Sequence, residues 1–263
     1  MGEGLRTMSD SLLPGVVPPI IEAIVDVDCA MPPAASPEAL EAAARAALAD
    51  RYPKLRLQHF QEHRIESNGQ QPTLSVRRGV QALRFFQEDE KQLVQVRAQG
   101  YSFNRLAPYS SLDDYLPEIR RTWDIFVGLA RPMEVRQVRL HYINRLLLPL
   151  NGSASVELVD YIATAPIRFP LEAELTFDGL LHRYAAVEAA TGHRVGLTLA
   201  SQPAEGDRMP MILDIEVAAE GPVDPESWPA VLGKINALRA LKNRVFASTI
   251  TEKCVALFPR VRP

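Results

Sequence analysis

The stretch "EVRQVRLHYINRLLLPL" at 134–150 predicts a long β-strand near the middle of the chain. Its apolar side chains fall on even positions and its polar side chains on odd positions, which is the period of a strand with one buried face. The even set is Val138, Leu140, Tyr142, Leu146 and Leu148, and the odd set is Gln137, Arg139, His141 and Arg145. Asn144 is a polar exception among the core-facing positions. The pattern indicates a sheet that is covered on one face only.

Strand and helix patterns occur in a similar order on both sides of this point. The first half predicts a strand at 20–29, a helix capped by Ser36, strands at 55–66, 73–87 and 92–104, and a helix capped by Ser111. The second half predicts the strand at 134–150, a short helix at 155–164, and strands at 170–178, 180–190, 194–202 and 210–219. A long helix then opens at Asp224-Pro225, and a capped turn or short helix follows within 248–258.

Both halves therefore predict the order β-α-β-β-β-α, the second with one extra strand. We predict an α+β fold of two related halves, each an antiparallel sheet with helices packed on one face, similar to a helix-grip unit. Residues 1–17 are predicted to be a flexible lead-in, with halves at 18–131 and 132–263 that form one compact unit.

The composition is that of an ordinary globular protein, with 263 residues, 47% hydrophobic and 23% charged. The net charge is −3, but residues 51–150 hold 16 Lys/Arg against 10 Asp/Glu, so this region is basic and the remainder acidic.

Cys29 and Cys254 match no metal or redox spacing, which favours reduced thiols over the alternative of one long-range disulfide. No apolar stretch approaches the ~18 residues of a membrane span, and we predict a cytoplasmic protein.

An Asn-Arg-Leu triplet occurs in "SFNRLAPY" (102–109) and again in "HYINRLLLP" (141–149). Alternation predicts that Asn104 and Asn144 face the core while Arg105 and Arg145 face away, unless Gly100 introduces a bulge. One interpretation is structural, with the Asn side chains bonded to backbone groups and the Arg side chains solvated. The alternative gathers basic side chains on one sheet face to bind an anion. These candidates are Arg97, Arg105, Arg139, His141 and Arg145.

The second half offers an acidic counterpart to this basic face. Strand alternation places Glu172, Glu174, Asp214 and Glu216 on one polar face. The basic and acidic faces could meet within one chain or between two copies, and the alternative is two solvated faces.

No catalytic, metal or cofactor motif is present in the sequence, and we predict no cofactor and no metal. His59 and His63 lie ~13 Å apart along a strand and cannot share a metal. No Gly-x-Ser-x-Gly, His-Glu-x-x-His or phosphate-binding glycine loop occurs, so no enzyme class is favoured.

Four stretches together resemble a sporadically distributed bacterial family of proteins of similar length. They are "PPIIEAIVDV" (18–27), "GYSFNRLAPY" (100–109), "VRLHYINRLLLP" (138–149) and "LKNRVFASTITEKCVALF" (241–258), with Trp123 in the helix after the second. The resemblance implies no activity, cofactor or catalytic residue. It implies that the Asn-Arg-Leu segments are shared features of the fold or its site, and that the role is accessory, in mobile-element or defence-related systems.

The sequence as a whole favours a non-enzymatic interaction protein that acts through a protein partner or as a homo-oligomer. A second hypothesis is a sensor with a pocket between sheet and helices, in which Asn104, Arg105, Asn144 and Arg145 orient a small anionic ligand. A third is nucleic-acid binding by the basic region 51–150, which we disfavour because neither a basic helix nor an aromatic platform is evident. No membrane association is expected.

Overall fold

A nine-stranded antiparallel sheet organises the chain in the computed structural model, which describes residues 16–66, 73–150, 156–164 and 179–260. The strands are β1 (Ile20–Ala30), β2 (Lys54–Glu66), β3 (Thr73–Phe86), β4 (Gln92–Arg97), β5 (Gly100–Leu106), β6 (Glu134–Pro149), β7 (Leu181–Val187), β8 (Arg194–Ser201) and β9 (Arg208–Val223). Their order across the sheet is β2-β3-β4-β5-β1-β6-β9-β8-β7. The strand predicted at 134–150 is therefore central, between β1 and β9.

The helices begin where capping side chains are available. They are α1 (Pro37–Leu48), α2 (Leu112–Ala130), α3 (Trp228–Thr249) and α4 (Glu252–Val255). The hydroxyl oxygens of Ser36 and Ser111 each accept a bond from a first-turn amide at 3.3 Å, as predicted. The predicted short helix at 155–164 is a single 3-10 turn, Leu158–Asp160. The long helix starts at Trp228, a few residues after the predicted Asp224-Pro225.

All three long helices pack on the same face of the sheet, and the core lies between them. Trp123 of α2 stacks edge-on against Tyr101 of β5 with ring centroids 5.5 Å apart, and both side chains are almost fully buried. Its indole N–H donates to the Pro225 carbonyl oxygen at 3.1 Å, which ties α2 to the loop before α3. The amphipathic pattern of the strands thus determines the layering, and the predicted α+β class is confirmed.

The predicted strand at 92–104 is two strands joined by a tight turn at Ala98-Gln99. Arg97 and Gly100 are paired across this hairpin, so an odd and an even position share one face. Gly100 has a φ of +145°, and a Cβ there would lie 2.1 Å from the Val27 carbonyl oxygen, so only glycine fits. The turn reverses the alternation, which has direct consequences for Asn104 and Arg105.

No helix in the described ranges is both long and apolar enough to cross a membrane.

Candidate functional site

The sheet face opposite the helices is the polar face, and it crosses the five central strands β4, β5, β1, β6 and β9. Strand pairing places the following side chains on it: Arg97, Asn104, Glu22, Asp26, Asp28, Arg139, His141, Arg145, Asp214 and Glu216. Most of the basic and acidic candidates predicted from the sequence therefore lie on one face of one sheet.

Asp26 is the centre of an ion-pair network on this face. Arg97 and Arg139 both donate to its carboxylate, and both also reach Asp28, at 2.9 and 3.0 Å. The Asp26 side chain is only 15% exposed, so its two guanidinium partners replace most of its water. The network joins β4, β1 and β6 laterally.

Burial has opposite effects on the two kinds of group in this network. It raises the pKa of Asp26, against the lowering effect of Arg97 and Arg139. It would also lower the pKa of Arg139, but the bonds and charges of Asp26 and Asp28 outweigh it and raise that pKa. We take the pair as ionised, because two guanidinium groups contact one carboxylate and arginine keeps its proton in proteins.

His141 and Asp214 form a second pair, between β6 and β9. Burial would lower the pKa of His141, but the hydrogen bond to Asp214 and the charges of Asp214, Glu216 and Glu22 raise it above its ordinary value. The imidazole therefore keeps its proton to a higher pH than an unperturbed histidine does. The predicted basic and acidic faces thus meet within one chain, side by side on adjacent strands.

Asn104 and Arg145, two further candidates on the polar face, also have partners within the chain. Asn104 donates to Glu22 at 2.8 Å and accepts from Gln95 at 3.0 Å. Arg145 pairs with Glu205 at the far end of β6. Glu172 and Glu174, the remaining acidic candidates, lie outside the described residues.

Arg105 and Asn144 lie on the opposite, helix-covered face. The prediction that Asn104 faces the core and Arg105 faces away was wrong, because the turn before β5 reverses the alternation. Arg105 instead lies over the Tyr115 ring of α2, with its guanidinium carbon 5.3 Å from the ring centroid. The prediction for Asn144 is confirmed: it is 2% exposed, and its amide donates to the Leu213 carbonyl oxygen at 3.0 Å. The two Asn-Arg-Leu triplets therefore have opposite orientations and form no common site.

A different group of polar side chains lies beneath the helices, and we call it the cationic cluster. It consists of Arg239, Lys242 and Asn243 on α3, Asp113 in the first turn of α2, Tyr109 in the loop before α2, and Tyr142 on β6. Arg239, Lys242 and Asn243 are 4%, 5% and 6% exposed. Full burial of lysine and arginine is unusual and requires compensating contacts.

The contacts within the cationic cluster connect all three elements. The Arg239 guanidinium forms two parallel bonds to the Asp113 carboxylate, at 2.8 and 2.6 Å. The Lys242 ammonium lies 4.1 Å from the centroid of the Tyr142 ring. The Tyr142 hydroxyl is 3.3 Å from that of Tyr109. Two cations and two tyrosine side chains thus lie in the interior, and the Asp113 carboxylate at the edge of the cluster is 43% exposed.

Sequence reasoning missed this cluster. A helix on the surface of a globular protein usually places its Arg, Lys and Asn side chains in water. At about 100° per residue, Arg239, Lys242 and Asn243 fall within a single arc of about 100° on α3. That arc adjoins the apolar side, and the "LKNR" segment at 241–244 was the available signal.

The thiols offer no reactive group. Cys29 and Cys254 are both free and buried, and burial raises the pKa of each to about 12. Such thiols stay protonated and are poor nucleophiles. Among the described residues, no three His, Cys, Asp or Glu side chains form a group that could hold a metal ion.

Two cavities bear on the binding hypotheses. One lies between α1, α2 and β4, has a volume of about 10 Å³ and an apolar lining, and could hold at most a water molecule. The other is an open groove of about 540 Å³ at one end of β1, β6 and β9. It is lined by the acidic Asp28, Glu134 and Glu220 and by the basic Arg136. Neither cavity is lined by residues of the cationic cluster.

The sequence matches no protein-family model and no curated protein.

Proposed function

We propose that the protein binds a small oxyanion, a carboxylate or a phosphate group, at the cationic cluster between the sheet and the helices. The observation behind this is the burial of two cationic side chains, Arg239 and Lys242, beside two tyrosine hydroxyls. Burying charge costs free energy, and such arrangements are concentrated at functional sites. This proposal develops the ligand-sensor hypothesis but replaces its residues. Of the four residues in that hypothesis, Asn104 and Arg145 lie on the polar face, and only Arg105 and Asn144 lie on the helix-covered face.

The donors in the cluster suit an oxyanion chemically. A guanidinium keeps further N–H donors after pairing with one carboxylate, an ammonium is a compact charge, and hydroxyls add neutral donors. Asp113 holds the Arg239 fork in a fixed orientation through its two bonds. The first turn of α2 adds partial positive charge from its amides. A bound oxyanion would therefore meet donors that are already oriented, which reduces the entropic cost of binding.

The proposal is tested by calorimetry and thermal shift with phosphate, sulfate, acetate and glycolate. Lys242→Met removes the charge and keeps the chain length, and we expect it to weaken binding at least tenfold. Lys253→Met is the matched control, because Lys253 also lies over a tyrosine ring, 5.0 Å from the Tyr161 centroid, but at the surface. Equal binding by both variants, or no binding of any oxyanion to the wild type, would refute the proposal.

A second candidate is the partner binding or self-association predicted from the sequence. It is favoured by β7, whose Leu181 and Val187 are 74% and 64% exposed on the polar face. The opposite charges that first suggested association are paired within the chain, and this weakens the case. Native mass spectrometry of wild type and Leu181→Glu tests it: a discrete oligomer that the substitution dissociates supports it, and a monomer in both contradicts it.

Nucleic-acid binding remains the third proposal. It is weakened because basic residues of the 51–150 region pair with carboxylates, as in Arg51–Glu118 and Arg56–Glu90. A nitrocellulose filter assay at two salt concentrations tests it, since phosphate contacts make affinity fall steeply with salt.

We also propose that the two halves arose by duplication. The central position of β1 and β6, with β5 and β9 on their outer sides, supports this idea, as does a long helix at the end of each half. We further propose that the chain belongs to the bacterial family it resembles. We also propose an accessory role in mobile-element or defence systems and a cytoplasmic location.

A further inference from the structure

The side-chain oxygen of Asn243 is a buried acceptor without a donor among the described residues. The Asn243 side chain is buried, with only 6% of the residue exposed. It lies one helical turn beyond Arg239 on the same side of α3. Buried polar groups almost always have a hydrogen-bond partner, and leaving one unsatisfied costs about 1–3 kcal/mol. A buried acceptor left open one helical turn from Arg239 is therefore a feature that a ligand can use.

We propose that Asn243 selects oxyanions that carry a hydrogen-bond donor of their own, with protonated phosphate as the simplest example. This inference rests on the proposed function and specifies its ligand class. The anionic oxygens would meet Lys242 and Arg239, and the ligand's O–H would donate to the Asn243 oxygen. Phosphate keeps at least one P–O–H proton near neutral pH, whereas sulfate keeps none, so the site discriminates between two ions of nearly equal size.

The same logic extends to carboxylates. Glycolate and acetate differ in one hydroxyl, as phosphate and sulfate differ in one proton. A site that contains a buried acceptor rejects the analogue without the donor, because binding it leaves the acceptor unpaired in the interior. The two matched pairs together separate a phosphate site from a carboxylate site.

The experiment is isothermal titration calorimetry of the full chain at pH 7 with each of the four ions. In the wild type we expect phosphate to bind at least tenfold more tightly than sulfate, or glycolate at least tenfold more tightly than acetate. Asn243→Leu, which conserves volume and removes the acceptor, should reduce that ratio to near one. Asn236→Leu makes the same change at an exposed position of the same helix and should leave the ratio unchanged.

The outcomes separate the two proposals. If no ion binds, the oxyanion site itself is refuted. If ions bind but the wild type shows no preference within either pair, or prefers sulfate, the role of Asn243 is refuted and the site stands. A wild-type preference that Asn243→Leu retains also refutes this role, whereas the lack of any wild-type preference refutes it without the variant.

Discussion

Removing the Asp26 carboxylate charge should destabilise the protein more than removing an exposed one. Asp26→Asn keeps the shape of the side chain but leaves Arg97 and Arg139 facing a neutral amide. Breaking a fully buried pair costs roughly 3–5 kcal/mol, and an exposed pair contributes about 0–1 kcal/mol. Asp26 is 15% exposed and its partners 17% and 29%, while Asp28 remains beside them. We therefore expect a loss of about 2–3 kcal/mol in the free energy of unfolding.

Urea denaturation followed by circular dichroism measures this loss directly. The corresponding fall in Tm is roughly 5–10 °C for a chain of this length. Glu90→Gln is the matched control, because Glu90 accepts two bonds from Arg56, both at 2.7 Å, but at an exposed site. If Asp26→Asn costs no more than Glu90→Gln, then the polar-face network contributes no more than a surface ion pair and our reading of it is incorrect.

Three further predictions concern single positions. The pKa of His141 is raised, so its charged pair with Asp214 stabilises the fold fully below about pH 6.5, and this stabilisation is lost as the pH rises through the raised pKa. The free energy of unfolding of the wild type should therefore fall over that pH range. His141→Gln should abolish this pH dependence in denaturation curves. Gly100→Ala should destabilise the fold by roughly 2–3 kcal/mol, because the added Cβ would overlap the Val27 carbonyl oxygen. A thermal melt unchanged from wild type would contradict the close contact at Gly100. Trp123→Phe should cost about 2 kcal/mol through the lost indole hydrogen bond and the space left behind, and a loss below about 0.5 kcal/mol by urea titration would show that this link between α2 and α3 is dispensable.

The layering of the fold was predictable because hydrophobic alternation is a local property. The even positions of 134–150 indicated the buried face of β6, and the capping serines indicated where α1 and α2 begin. The split between β4 and β5 was not predicted, because Ala98-Gln99 lacks the Asn-Gly or Asp-Gly signature of a tight turn. That one turn reversed the faces of Asn104 and Arg105.

The arrangement of charges required the strand order, which a single sequence does not contain. β1 and β6 are more than a hundred residues apart in the chain and adjacent in the sheet, so Asp26 and Arg139 meet. The cationic cluster was hidden for a related reason. Whether Lys242 faces water or Tyr142 depends on which side of α3 is covered, and helical spacing alone cannot decide that.

The most direct test of the central claim is to locate a bound oxyanion. Crystals soaked in tungstate, a tetrahedral oxyanion with a strong anomalous signal, would show its position without reference to any binding curve. We predict a peak within hydrogen-bonding distance of the Lys242 ammonium and the Arg239 guanidinium, beside the Tyr109 and Tyr142 hydroxyls. A map with no peak there, or with peaks only on exposed arginines of the polar face, would contradict the account.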